Sequence, residues 1–163
     1  EQVIHGIPGT YILKDGDIVS IDCGAYIDGF HGDAARTFPV GNVSLDAQKL
    51  IDVTKESFFK GIEYAKVGNR LGDISNEIQS YVEAAGFTVV RDFVGHGIGR
   101  NVHEDPNVPN FGKAGVGPEL VKGMVLAIEP MVNMGKHKVK TLRNGLFILN
   151  GITSPLVLKD YTI

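Results

Sequence analysis

An Asp-Gly dipeptide between two β-like runs restricts this chain more than any other feature. Residues 18–23 (IVSIDC) are rich in β-branched side chains, and Tyr26-Ile27-Asp28-Gly29-Phe30 sets Asp-Gly between apolar neighbours. Such a pair favours a two-residue type I′ turn. The spacing therefore predicts an antiparallel hairpin with Asp28 and Gly29 at its tip and a return strand running to about Val40. In that register Asp22 faces Ala35 and Asp33 faces Gly24. The two acids become diagonal neighbours on one face, roughly 7–8 Å or less apart at their attachment points. Carboxylates aimed into one space repel each other and call for a cation or a proton. The β-branched run reads as a buried strand, where an unpaired carboxylate is costly. Two solvated surface acids are the competing reading. His31 shares the face of Asp33, as a supporting partner or a packed ring.

The rest of the chain fits an ordinary globular protein. Its 163 residues, 43% apolar and 21% charged, suffice for one cored domain spanning 1–163. A net charge of −3 without a long Lys/Arg run gives little support to nucleic-acid or membrane-surface binding. No apolar stretch reaches the length of a membrane span. The single cysteine, Cys23, fits a reducing compartment such as the cytoplasm. The chain opens on Glu1-Gln2 without an initiator Met, which reads as an N-terminally truncated form.

Helical periodicity follows the hairpin. Ser44 is placed to cap a helix reaching about Ala65, with Ala47, Leu50, Ile51, Thr54, Phe58 and Ile62 on one face. Asp73 is placed to cap a second helix that ends at Gly86. Strand-like patterns return at 87–94, 124–128, 138–142, 146–149 and 156–163, and 95–109 reads as a loop rich in Gly, Pro and Asn. Strands, then helices, then strands predict an α+β fold.

Residues 95–106 (GHGIGRNVHEDP) form the densest polar cluster. Its His96 and His103 are not spaced as a helical zinc pair, and solvent-contacting loop histidines are an equal alternative. Glu129 ends the apolar run MVLAI and precedes Pro130, a position for a ligand or a buried ion pair. Asp160 beside Lys159 is weak by itself. No base pattern accompanies Ser20 or Cys23 as a nucleophile.

Taken together, four segments resemble the type I methionine aminopeptidases: EQVIHGIP (1–8), KDGDIVSIDCGAYIDGFHGDAARTFPVG (14–41), GHGIGRNVHEDPNVPNFG (95–112) and GMVLAIEPMVNMG (123–135). The resemblance implies a pita-bread fold with a curved antiparallel sheet under covering helices. It implies metal ligands at Asp22, Asp33, His96, Glu129 and Asp160, the last standing where the family has Glu. It marks His5 and His103 as substrate-side histidines, Glu129 as a proton shuttle as well as a ligand, and Val102 and Leu146 as substrate contacts, Leu146 replacing a pocket Trp. The implied cofactors are two divalent ions, Mn, Fe, Co or Zn, since this oxygen-rich set does not select among them. The implied reaction is two-metal-activated attack of water that removes N-terminal Met from peptides or nascent proteins.

Two alternatives stand beside it. One is a catalytically impaired binding protein on the same fold, suggested by Asp160 and the shortened N-terminal side. The other is a prolidase-like Xaa-Pro peptidase, since those enzymes share the metal pattern. An apolar sheet face left bare by the shortened side predicts a monomer or weak self-association.

Overall fold

The computed structural model describes residues 6–141, with strand segments at 147–149, 156–158 and 161–162. Strand β1 (Ile18–Ile27) turns into β2 (Phe30–Pro39), then come helices α1 (Leu45–Ile62) and α2 (Leu71–Ala84). Among the described residues nine short strands follow: β3 (Thr88–Val89), β4 (Gly95–Gly97), β5 (Glu104–Val108), β6 (Leu126–Ile128), β7 (Met131–Asn133), β8 (Val139–Thr141), β9 (Phe147–Leu149), β10 (Leu156–Leu158) and β11 (Tyr161–Thr162). This is the α+β order expected from sequence.

The hairpin has the predicted register, with Asp22 opposite Ala35 and Gly24 opposite Asp33. Asp28 and Gly29 have φ of 51° and 85°, the positive pair that a type I′ turn requires. The expected burial of β1 is not observed. Ile21, Tyr26 and Ile27 are exposed, as is Asp22. Within the hairpin, Ala35 is the buried apolar residue, at 1% exposure. The β-branched run encodes strand geometry here, not a place in the core.

Both helices lie where the apolar spacing puts them. The Ser44 hydroxyl accepts from the Ala47 N–H at 3.1 Å and caps α1. On the buried face of α1, Thr54 and Ser57 return their hydroxyls to the carbonyls of Leu50 and Thr54, so these polar groups cost little inside. Asp73 is not the N-cap of α2. It sits at the third helical position and reaches back to the N–H of Arg70, which is the cap. It also accepts from the N–H of Gly115 and so ties the 113–118 loop to the helix. Gly86 follows the C-cap with φ of 88°. The helices meet closely at Gly61, where a Cβ would lie 2.6 Å from Ile78 Cγ1.

One apolar cluster joins the helices to the sheets through Leu50, Phe58, Ile74, Ile78, Val89, Val108, Ile128 and Val132. The strands pair antiparallel in four groups: β11-β6-β4-β5, β10-β7-β3, β1-β2 and β8-β9. Residues 95–109, expected to be a loop, instead supply two strands, and β4 is an inner one between β6 and β5. The strand expected at 87–94 is confined to Thr88–Val89. Among the described residues no helix is long and apolar enough to cross a membrane.

Candidate metal centre

Strand β4 carries the centre of the site. Its sequence is Gly-His-Gly, and both glycines are there for the same reason. A Cβ on Gly95 would stand 2.2 Å from the Ala127 carbonyl oxygen, and one on Gly97 would stand 2.2 Å from that of Asp105. The flanking strands therefore close on β4 to a distance that only glycine permits. His96 pairs with Ala127 on one side and Asn107 on the other, with a register shift before Gly97. Its side chain is 8% exposed.

The imidazole has a defined orientation. Nδ1 lies 2.8 Å from the Gly97 carbonyl oxygen, which can only accept, so Nδ1 carries a proton. Nε2 points the other way, 3.2 Å from Glu129 Oε1 and 3.8 Å from Asp33 Oδ2. In the neutral ring, Nε2 presents a lone pair to two carboxylate oxygens. Three acceptors then converge, an arrangement that a cation or a further proton makes favourable. Two ligands of one ion, each roughly 2.1 Å from it, stand roughly 3.0–3.4 Å apart at octahedral or tetrahedral angles. The 3.2 Å separation lies in that range and the 3.8 Å separation just beyond it. The donor chemistry suits a divalent ion, and of the two separations that of His96 and Glu129 has the spacing for one. Among the described residues, no three His, Cys, Asp or Glu side chains stand close enough together to hold one.

Asp33 comes from β2, with a 16% exposed side chain. Asp22 lies on the same hairpin face, diagonal to Asp33, and is more exposed. Glu129 follows β6, also 16% exposed at its side chain. His103 lies in the turn between β4 and β5, its ring centroid 4.3 Å from that of His96 at an interplanar angle of 62°. Val102, its neighbour, is 39% exposed. His5, Leu146 and Asp160 lie outside the described residues. His31 packs its ring on Tyr26 at 4.6 Å, and its backbone N–H donates to the Gly99 carbonyl at 2.7 Å, so the hairpin tip touches the loop leading to His103.

An open cleft of about 630 Å³ adjoins the centre, lined by His96, His103, Asn101, Glu104, Asp105 and Asn107 among others. Glu104 accepts from the Asn101 N–H at 2.8 Å and so braces the turn that presents His103. Sequence reasoning missed Asn110, whose amide Nδ2 lies 2.6 Å from the Glu129 carbonyl oxygen. Its only signal was an Asn after Pro in a segment that reads as turn.

The sequence profile of metallopeptidase family M24 matches residues 1–151. A methionine aminopeptidase of Clostridium perfringens is 75% identical over 144 residues, 88% of this chain and 58% of that protein. Methionine aminopeptidase 1 of Bacillus subtilis is 58% identical over 142 residues, 87% of this chain and 57% of that protein. The crystal structure of methionine aminopeptidase from Thermotoga maritima superimposes with a TM-score of 0.96 at 46% identity, covering 99% of this chain and 66% of that one. The chain thus spans less than two thirds of the length of these relatives. The architecture is the pita-bread fold that the resemblance implied. With a profile match reaching from residue 1 to residue 151, this chain belongs to metallopeptidase family M24.

Proposed function

We propose that this chain forms the metal-binding catalytic unit of an aminopeptidase that removes N-terminal methionine from peptides or nascent proteins. The observation that carries the reading is the approach of Glu129 and Asp33 to His96 Nε2 beside a polar cleft edged by His103. Asp22, Asp33, His96, Glu129 and Asp160 would hold two divalent ions. When bound, such ions lower the pKa of water and polarise a peptide carbonyl.

The chain's own residues supply the rest. The Glu129 carboxylate takes the proton of the attacking water and returns it to the leaving amine nitrogen as the C–N bond breaks. The His103 imidazole, at the cleft edge, donates to the carbonyl oxygen as negative charge develops there. His5 would share that task, and Val102 and Leu146 would contact the substrate side chain. The Nδ1–H bond to Gly97 holds the His96 ring in one orientation.

The test is release of Met from a Met-Ala-Ser peptide with added Mn or Co, compared with an Xaa-Pro dipeptide. Metal-dependent release of Met that chelator abolishes is expected. Turnover of the Xaa-Pro substrate alone would move the assignment to a prolidase-like enzyme. No turnover of either at saturating metal would support a binding protein on this fold. Asp160→Glu restores the family's longer acid and is expected to raise metal affinity or turnover.

A further inference from the structure

The carboxylate of Glu129 faces His96, and its backbone stands at the junction of two sheets. Strand β6 ends at Ile128 in the four-stranded sheet, and β7 begins at Met131 in the three-stranded one. Glu129 and Pro130 form the corner between them. Pro130 has no N–H to continue a ladder. Asn110, arriving from the end of β5, meets this corner with its Nδ2 2.6 Å from the Glu129 carbonyl oxygen.

Three observations mark this bond as more than incidental. Asn110 is 0% exposed. Its other amide atom, Oδ1, is buried and has no hydrogen-bond partner among the described residues. A buried amide keeps its place through the hydrogen bonds it makes, and the bond that Asn110 makes among the described residues goes to Glu129. Asn110 is also anchored from behind. Two residues on, Gly112 donates to Gln79 Oε1 and accepts from Asn76 Nδ2, both at 3.0 Å and both from α2.

We propose that Asn110 is a positioning residue of the metal centre, relaying the rigidity of α2 to the backbone of Glu129 and so aiming its carboxylate at His96. This rests on the metallopeptidase reading of the site. A metal ligand aimed by an outer partner typically loses about 10–100-fold in metal affinity when that partner is removed.

The test is titration of the metal-free full chain with cobalt(II), followed by visible absorption, with melting temperature measured for each variant. Asn110→Leu keeps the approximate volume without the donor, and Asn110→Asp keeps the shape with an acceptor facing the carbonyl. Both are expected to bind cobalt about 10–100-fold more weakly. Asn110→Ser, smaller but still a donor, is expected to fall between them and the parent. Asn133 is equally buried and donates to the Lys136 carbonyl instead. Asn133→Asp thus reports the loss of a buried amide bond away from Glu129, and is expected to lower the melting temperature with cobalt affinity kept. Parent-like affinity in Asn110→Leu and Asn110→Asp, or losses that merely follow melting temperature across all four variants, overturns the positioning role alone. A parent chain that binds no cobalt, or His96→Ala that binds it equally well, overturns the metal-centre reading and the proposal with it.

Discussion

His96 Nε2 stands 3.2 Å from Glu129 Oε1, while the opposite ring nitrogen is bound to the carbonyl of Gly97. The ring cannot flip without giving up that carbonyl, so β4 and the end of β6 fix one imidazole–carboxylate pair between them.

His96→Ala removes the nitrogen about which the acids gather. Its metal affinity is expected to fall by more than the roughly 10–100-fold typical of losing an outer partner. Metal content after dialysis checks this, and parent-like content would end the role assigned to His96.

Asp33 and Asp22 share a face but differ in exposure. Asp33 lies beside His96 with a 16% exposed side chain, whereas Asp22 is exposed and better screened. Asp33→Asn is expected to weaken metal binding about tenfold or more, on the order of 1.4 kcal/mol. Asp22→Asn is expected to cost less. Calorimetric titration gives both affinity and stoichiometry, and the reverse ranking would contradict the exposure argument.

Gly95→Ala places a methyl group where Ala127 O and Val108 Cβ already stand, 2.2 and 3.3 Å away. Overpacking of this kind costs about 1–3 kcal/mol, or a few degrees of melting temperature at this size. The same substitution pushes His96 away from Glu129, so stability and metal affinity are expected to fall together. Scanning calorimetry with a metal titration on one sample tests the pairing.

Asp73 gives the clearest pH dependence. The N–H of Arg70, then that of Gly115, hold its carboxyl below the ordinary carboxylate range. A folded pKa below the unfolded one adds stability that is fully present above the unfolded value, about 3.9. That stability is lost as pH falls through the folded value. Melting temperature is therefore expected to drop on acidification below about pH 4. Asp73→Asn should melt lower at neutral pH and show a shallower drop. An unchanged pH profile in that variant would count against the N-terminal bonds.

The hairpin was readable because its register follows from two residues. Asp28-Gly29 fixes the turn, the turn fixes the pairing, and the pairing puts Asp22 and Asp33 on one face. Burial was not readable in the same way, because a β-branched run serves an exposed ribbon as well as a core strand. Residues 95–109 misled for a related reason. Glycine lowers every strand signal, yet at 95 and 97 it is demanded by the approach of neighbouring backbones, which no local pattern records. Asp73 lies at the expected end of α2 but three residues past the cap, because an acid there reaches back as readily as it begins a helix. Asn110 was invisible because its importance lies in a bond to a residue distant in sequence.

The absence of side chains on either side of His96 has a consequence for how this protein tolerates change. The backbone of His96 is held by main-chain ladders to Ala127 and Asn107 and its ring by the Gly97 carbonyl, and these depend little on which apolar groups fill the interior. Substitutions that reshape the interior while preserving its volume should leave the imidazole where it is. The freedom to vary stops abruptly at residues 95 and 97, where even one added carbon has no room.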